Sequence, residues 1–110
     1  EYFILLADNK IFSLPSSLTA AKLRSIYEDF SEQDALEIKE TEKVTNHDVK
    51  AVEYFIKDKL KALDAEAVSE WVHFGLTSQD INNTAIPLSW TNAIESEYLP
   101  ALLTAASAKR

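Results

Sequence analysis

Cysteine is absent from the 110 residues, and the sequence contains one glycine and three prolines. Without cysteine the chain forms neither disulfides nor thiolate metal sites, and this absence fits a cytosolic protein. Sheet-rich folds need turn residues at close intervals, so the scarcity of glycine and proline favours long helices with few connections. Because no alternation of apolar and polar residues extends beyond a few positions, we predict an all-α fold.

Basic residues are also few, since 11 Lys and Arg stand against 18 Asp and Glu and give a net charge of −7. Surfaces that bind nucleic acid need clustered Lys and Arg, so no nucleic-acid partner is expected. The apolar run from Tyr2 to Ala7 is too short to span a bilayer and lacks the basic flank of a signal peptide, so no membrane partner is expected either. Apolar residues make up 46% of the chain, which is enough for a hydrophobic core.

Apolar residues recur at the i, i+3, i+4, i+7 spacing of helices that bury one face. The predicted helices span residues 2–7, 18–30, 34–43, 48–63, 65–74 and from 79 onward. The two clearest stripes consist of Leu23, Ile26, Tyr27 and Phe30, and of Val49, Val52, Ile56, Leu60 and Leu63. The charged residues beside the second stripe are expected mostly on other faces of that helix; they are Lys50, Glu53, Lys57 and Lys61.

Several single residues or short segments are expected to mark where helices begin, end or kink. The segment Ser31-Glu-Gln-Asp34 is a plausible N-terminal cap. Gly75 is expected to end a short helix, because glycine accepts the left-handed conformation found at helix C-termini. Pro87 is expected to kink or break the last helical stretch, and Pro100 marks a second such place. The chain begins without Met in apolar sequence, and we expect both of its ends to be cuts through helices.

Two short polar segments, Thr45-Asn-His-Asp48 and Thr77-Ser-Gln-Asp80, stand where helices are predicted to begin. In each, Thr is followed three residues later by Asp, which is a variant of the capping box. A helix N-terminus offers free N–H groups and a partial positive charge, and hydroxyls add further donors for an anion. Most segments of this kind are ordinary caps. The functional alternative is that the two helix starts converge on one negatively charged small molecule.

The segment from Thr45 to Phe55 closely resembles the histidine-bearing segment of the adenylosuccinate lyases. The segment from His73 to Ala85 resembles their second signature, of the form Thr-Ser-x-Asp-x-x-x-Thr-Ala. This second pattern occurs in looser form across the fumarase and argininosuccinate lyase superfamily, whereas the first is more specific. The resemblance covers essentially the whole chain and is strongest from Lys43 to Leu88.

The resemblance implies the helical N-terminal domain of such a lyase over residues 1–110, truncated at the start of a long helix. Residues 77–110 would lead toward the central helical bundle of a homotetramer. The implied enzyme is cytoplasmic, belongs to purine biosynthesis, and eliminates fumarate from adenylosuccinate to give AMP and from a succinyl-carboxamide ribotide. In the family the principal general acid and the catalytic serine loop lie further along the chain. The isolated 110 residues are therefore expected to be inactive.

Carried over by position, Asn46, His47 and Asp48 are expected to contact substrate, with His47 assisting catalysis. Thr77 and Ser78 are expected to hold anionic groups of the substrate, in particular a succinyl carboxylate. The alternative for His47 is a solvated histidine that contacts only its own backbone. Asp48 can serve the helix dipole alone or together with substrate contact.

Other polar and aromatic residues favour structural roles. His73 stands in an apolar stretch and is predicted to be a hydrogen-bonded core histidine. Trp71 and Trp90 are expected in the core or in an interface rather than stacked on a ligand. Asn82 and Asn83 either fasten the turn after the motif or lie near the ligand, and the sequence favours neither role.

No metal or cofactor is expected. His47 and His73 are too far apart in the sequence to form a local ligand pair, and no cysteine is available. The elimination implied by the resemblance requires no cofactor.

Two other functions compete with an adenylosuccinate lyase. The first is another fumarate-releasing lyase of the superfamily with a different amine leaving group, against which the segment from Thr45 to Phe55 argues. The second is a non-catalytic helical interaction domain, which would need only amphipathic helices and an acidic surface.

Overall fold

The computed structural model describes residues 1–108, and no strand occurs within them, which confirms the all-α prediction. The final two residues of the predicted C-terminal helix lie outside the described residues. The chain forms two compact units, Glu1–Gly75 and Leu76–Arg110, and each is described by itself. The elements are α1 (Tyr2–Asp8), α2 (Ala20–Glu28), α3 (Glu32–Thr45), α4 (Asp48–Ala62), a 3-10 helix (Glu66–His73), α5 (Ser78–Ala93), a π-helical turn (Ile94–Tyr98) and α6 (Leu99–Ser107).

The hydrophobic core of the first unit joins α1, α2, the end of α4 and the 3-10 helix. Leu60 is fully buried at its centre, and Trp71 packs against the same cluster. The Trp71 ring stacks on Phe12 with centroids 5.3 Å apart and planes 9° from parallel. The core role predicted for Trp71 is therefore confirmed. The buried members of the cluster are Ile4, Phe12, Leu18, Leu23, Leu60, Ala65 and Val68.

Capping residues decide where α2 and α3 begin. The Thr19 hydroxyl accepts a hydrogen bond from the backbone N–H three residues later, so α2 begins after the start predicted at residue 18. Ser31 and Asp34 form a capping box, as predicted, and α3 accordingly begins two residues before the predicted start at Asp34. In both helices the cap fixes the boundary, because it satisfies N–H groups that have no partner within the helix.

The apolar stripe of α4 is correct at Val49 and Leu60, which are buried, but wrong at Val52, which is 38% exposed. The placement of Glu53 outside the buried face is also wrong, because only 6% of this residue is exposed. Glu53 follows Val49 by four positions and precedes Leu60 by seven, so helical geometry places it in the middle of the stripe.

The stripe of α2 is only partly correct. Leu23 is buried, whereas Tyr27 and Phe30 are half exposed. Since α2 ends at Glu28, Phe30 lies beyond the helix, and its ring instead meets the Phe55 edge at a centroid distance of 5.8 Å.

The helix predicted over residues 65–74 is a 3-10 helix rather than an α-helix. Ala65, Val68 and Trp71 recur at every third position and all belong to the core or pack against it, which matches the three-residue period of a 3-10 helix. The segment ends before Gly75, whose φ of +69° is left-handed, as predicted.

Residues 78–107 of the second unit form one long helical stretch. The helix α5 continues through Pro87. Of the two outcomes expected at this proline, a kink or a break, the break does not occur. Pro100 lies in the first turn of α6, where a missing N–H costs little, directly after the π-helical turn. Trp90 is 66% exposed and is not a core residue of this unit. Across residues 1–108, none of the helices is both long and apolar enough to cross a membrane.

Candidate functional site

The first polar segment forms the corner between α3 and α4. Asn46 adopts the left-handed conformation, with φ of 50° and ψ of 32°, and ends α3. Asparagine tolerates this conformation better than most residues, so a chain reversal is possible here without glycine. His47 is extended and is the N-cap of α4, whose first residue is Asp48. All three residues predicted to contact substrate are exposed.

The capping box predicted between Thr45 and Asp48 is wrong. Thr45 is the last residue of α3, and its hydroxyl donates to the His47 carbonyl oxygen at 3.2 Å. The helix instead begins two residues later than the Thr–Asp pattern requires, because His47 is the N-cap and its Nδ1 accepts the backbone N–H of Lys50 at 3.2 Å. The Asp48 carboxylate accepts from the backbone N–H of Val49 at 2.7 Å.

The cap determines which ring nitrogen of His47 carries the proton. Nδ1 also lies 3.5 Å from Asp48 Oδ1, but an ion pair there would require a proton on Nδ1. The shorter contact with the Lys50 N–H requires a bare Nδ1, and this assigns the proton of the neutral ring to Nε2. The exposed side chain of His47 therefore offers one N–H donor to a ligand while the other nitrogen caps α4.

The second polar segment does contain the predicted capping box. Thr77 is the N-cap of α5, and one oxygen of the Asp80 carboxylate accepts both the Thr77 backbone N–H at 2.7 Å and its hydroxyl at 2.8 Å. The Thr77 hydroxyl proton is thereby committed to Asp80. Ser78 begins α5 and is half buried, and within its own unit its hydroxyl has no partner among the described residues. Of the two hydroxyls, that of Ser78 is the one free to donate.

The predicted site residues fall in different units. Asn46, His47 and Asp48 belong to Glu1–Gly75, and Thr77 and Ser78 belong to Leu76–Arg110. The predicted convergence of the two helix starts on one ligand therefore stays a prediction.

A charge cluster that the sequence did not predict surrounds the buried Glu53 of α4. Both carboxylate oxygens of Glu53 accept from Lys50 Nζ, at 2.9 and 3.1 Å. Lys57 Nζ lies 3.1 Å from the same carboxylate, and His73 Nδ1 lies 2.8 Å from it. Burial alone would raise the pKa of Glu53, but the hydrogen bonds from Lys50, His73 and Lys57 together lower it to about 2. The i−3 and i+4 spacing of the two lysines was the available sequence signal.

His73 is hydrogen-bonded, as predicted, with Glu53 as its partner, but it is only partly buried rather than a core residue. Its side chain is 26% exposed. Its Nε2 atom is nevertheless buried and has no hydrogen-bond partner among the described residues.

An open depression of about 360 Å³ adjoins Asn46 on the surface of α3. Its other lining residues are Lys39, Glu42 and Lys43. Each lysine is paired with a glutamate of the same helix, so the local positive charge is compensated. Within residues 1–108 no group of three or more His, Cys, Asp or Glu is arranged to hold a metal ion.

Comparison with known proteins gives consistent matches. A family model described as "Lyase" matches residues 9–109. Over 83 residues the chain is 59% identical to an adenylosuccinate lyase of Dictyostelium discoideum. The aligned segment covers 74% of this chain and 18% of that protein. The chain is 46% identical over 101 residues to an adenylosuccinate lyase of Vibrio cholerae, covering 89% and 22% respectively. An adenylosuccinate lyase of Escherichia coli K12 is 49% identical over 79 residues, covering 71% and 17%. The chain spans about a fifth of the length of these curated relatives.

Proposed function

The chain belongs to the lyase family, and from this premise we propose that it is part of an adenylosuccinate lyase. The proposed reaction releases fumarate from adenylosuccinate to give AMP, and from a succinyl-carboxamide ribotide, in purine nucleotide biosynthesis. The observation that carries the proposal is the 59% identity to an adenylosuccinate lyase across 74% of the chain. The resemblance of both polar segments to the signatures of that family agrees with it.

The reaction is a β-elimination. A general base removes the proton next to a carboxylate of the succinyl group, and the electron pair is delocalised into that carboxylate. The carbon–nitrogen bond then breaks, and a general acid protonates the departing nitrogen. The intermediate carries extra negative charge on the carboxylate, so fixed hydrogen-bond donors stabilise it more than they stabilise the substrate. We assign the principal acid and base to other segments of the enzyme, so that these 110 residues alone are inactive.

The local geometry supports specific roles for the five candidate residues. The Nε2–H of His47 and the free hydroxyl of Ser78 are the donors proposed to contact anionic oxygens of the substrate. Thr77 is proposed to act chiefly by fixing the start of α5, since its hydroxyl already donates to Asp80. Asn46 and Asp48 flank His47 on the exposed corner and are proposed to contact the polar part of the nucleotide.

Assembly as a homotetramer is part of the proposal. Large apolar side chains are exposed along α5, the π-helical turn and α6, and such surfaces commonly mark protein–protein contacts. The exposed residues are Ile86, Leu88, Trp90, Ile94, Tyr98, Leu99, Leu102 and Leu103. We also propose a cytoplasmic location, in keeping with the absence of cysteine.

Fumarate release by the intact enzyme tests the proposal. The purified enzyme is expected to convert adenylosuccinate to AMP and fumarate and to leave argininosuccinate unchanged. Release from argininosuccinate alone would establish a different lyase of the same superfamily. Release from neither substrate, by a folded and tetrameric protein, would favour the non-catalytic interaction domain.

A further inference from the structure

The imidazole of His73 is held at one nitrogen and unsatisfied at the other. Nδ1 is 2.8 Å from the buried carboxylate of Glu53, whereas Nε2 is buried and has no partner within residues 1–108. Buried polar atoms without a partner are rare in folded proteins, and each calls for an explanation. This arrangement fits a histidine whose Nε2 forms its hydrogen bond only when another molecule binds.

Glu53 is itself immobilised. Lys50 contacts both of its carboxylate oxygens, and Lys57 bridges it to Glu70, with Nζ 2.8 Å from Glu70 Oε1. The carboxylate therefore has little freedom to follow a rotation of the imidazole. A carboxylate bound to one nitrogen of histidine fixes both the ring orientation and the tautomer, because that nitrogen must carry the proton.

His73 also stands close to the second polar segment in sequence. It precedes Gly75 by two residues and Thr77 by four. The carbonyl oxygen of Phe74 accepts the Tyr2 hydroxyl at 2.9 Å, so the backbone next to His73 is tied to α1 as well. Side chain and backbone of this stretch are thus both restrained, by contacts that do not involve Nε2.

We propose that Glu53 is a positioning residue of the enzyme, which acts by holding His73 in one orientation and one tautomer so that Nε2 contacts the substrate. This inference rests on the proposed function and deepens it. Glu53 does not contact substrate; its contribution passes through the imidazole. The remaining carboxylate contacts, from Lys50 and Lys57, keep Glu53 in place.

A double-mutant cycle in the intact enzyme tests the inference. Glu53→Gln keeps the size of the side chain and removes its charge, and it is expected to lower kcat/KM for adenylosuccinate about 10–100-fold, by analogy with the loss of carboxylates that orient metal-bound histidines. In a His73→Gln background the same substitution is expected to change kcat/KM less than twofold, because the group through which Glu53 acts is gone. Glu53→Asp should restore part of the lost activity.

Asp34→Asn is the matched control. It removes a 2.7 Å ion pair with Lys59 from the same unit, without a histidine partner, and should leave kcat/KM unchanged. If Glu53→Gln fails to fold, the cycle is run with Glu53→Asp. Independent, additive effects of the Glu53 and His73 substitutions, or wild-type kinetics in the folded Glu53→Gln enzyme, would overturn the inference while leaving the proposed function intact. A wild-type enzyme that releases no fumarate would overturn the proposed function first.

Discussion

Tyr2 and Phe74, 72 positions apart in the sequence, are joined by a hydrogen bond of 2.9 Å from the tyrosine hydroxyl to the phenylalanine carbonyl oxygen. The bond ties the first helix to the end of the 3-10 helix, just before the left-handed Gly75. A Cβ added to Gly75 would lie 3.6 Å from the same hydroxyl, which is an ordinary contact distance. The requirement for glycine at this position is therefore conformational rather than steric.

Gly75→Ala is expected to destabilise the chain by about 1–2 kcal/mol, the cost of a left-handed conformation for a residue with a Cβ. Gly75→Asn should cost less, since asparagine tolerates this conformation and occupies it at position 46. Urea unfolding of the 110-residue chain, followed by circular dichroism, measures both. Equal losses for the two variants would show that the conformation of Gly75 is not what the position requires.

Glu53 is expected to make stability depend on pH in acid solution. Its pKa falls from 4.5 to about 2 on folding, so the folded state binds the proton less tightly than the unfolded state. The stabilisation is present above pH 4.5 and is lost as the pH falls toward 2. The free energy of unfolding of the wild type should therefore exceed that of Glu53→Gln most clearly at pH 6–7, and the difference should shrink between pH 4.5 and 2.

Urea unfolding of both proteins at several pH values measures this difference. A gap between wild type and Glu53→Gln that stays constant from pH 7 to pH 2 would contradict the assignment of the low pKa to Glu53.

Local signals in the sequence predicted the helices and two of the caps, whereas contacts between distant residues were beyond them. The capping boxes at Ser31 and Thr77 follow from residues three positions apart, and the helix end at Gly75 follows from a single glycine. The place of Glu53 on the buried face follows from its spacing to Val49 and Leu60, but its contact with His73, 20 positions away, cannot be predicted from a pattern confined to one helix. Local periodicity does not predict how the two units are arranged.

The N-cap of α4 differs from the predicted cap because of the helix that precedes it. The Thr–Asp spacing predicted Thr45 as the cap of α4, and that spacing does not show how far α3 extends. Because α3 continues through Thr45, the capping role passes to the histidine ring, a group that sequence rules for caps do not favour.

His47→Asn separates capping from ligand binding. Asparagine is a good N-cap, so α4 should keep its stability, whereas the Nε2–H donor of His47 is lost. We expect His47→Asn in the intact enzyme to raise KM for adenylosuccinate without lowering the midpoint of thermal unfolding. His47→Ala should do both, with a loss of about 1 kcal/mol from the missing cap. A wild-type KM in His47→Asn would leave His47 as a helix cap alone.

Ser78 and Thr77 should respond in opposite ways to loss of their hydroxyls. Thr77→Ala removes the hydroxyl that is bound to Asp80, so it is expected to cost about 1 kcal/mol of stability through the cap of α5. Ser78→Ala removes a hydroxyl without a partner in its own unit, so stability should hardly change. If that hydroxyl donates to the developing carboxylate charge, kcat should fall by roughly 100-fold, as it does when one such donor is removed from other enzymes.

The comparison of the two variants is sharper than either alone, because both residues stand in the same turn. Thermal unfolding and steady-state kinetics of the intact enzyme should place the larger stability loss on Thr77→Ala and the larger loss of kcat on Ser78→Ala. Since the cap remains intact in Ser78→Ala, a fall in its kcat cannot be assigned to fraying of α5. Unchanged kinetics in Ser78→Ala would remove the hydroxyl from the substrate site and leave the start of α5 with a structural role only.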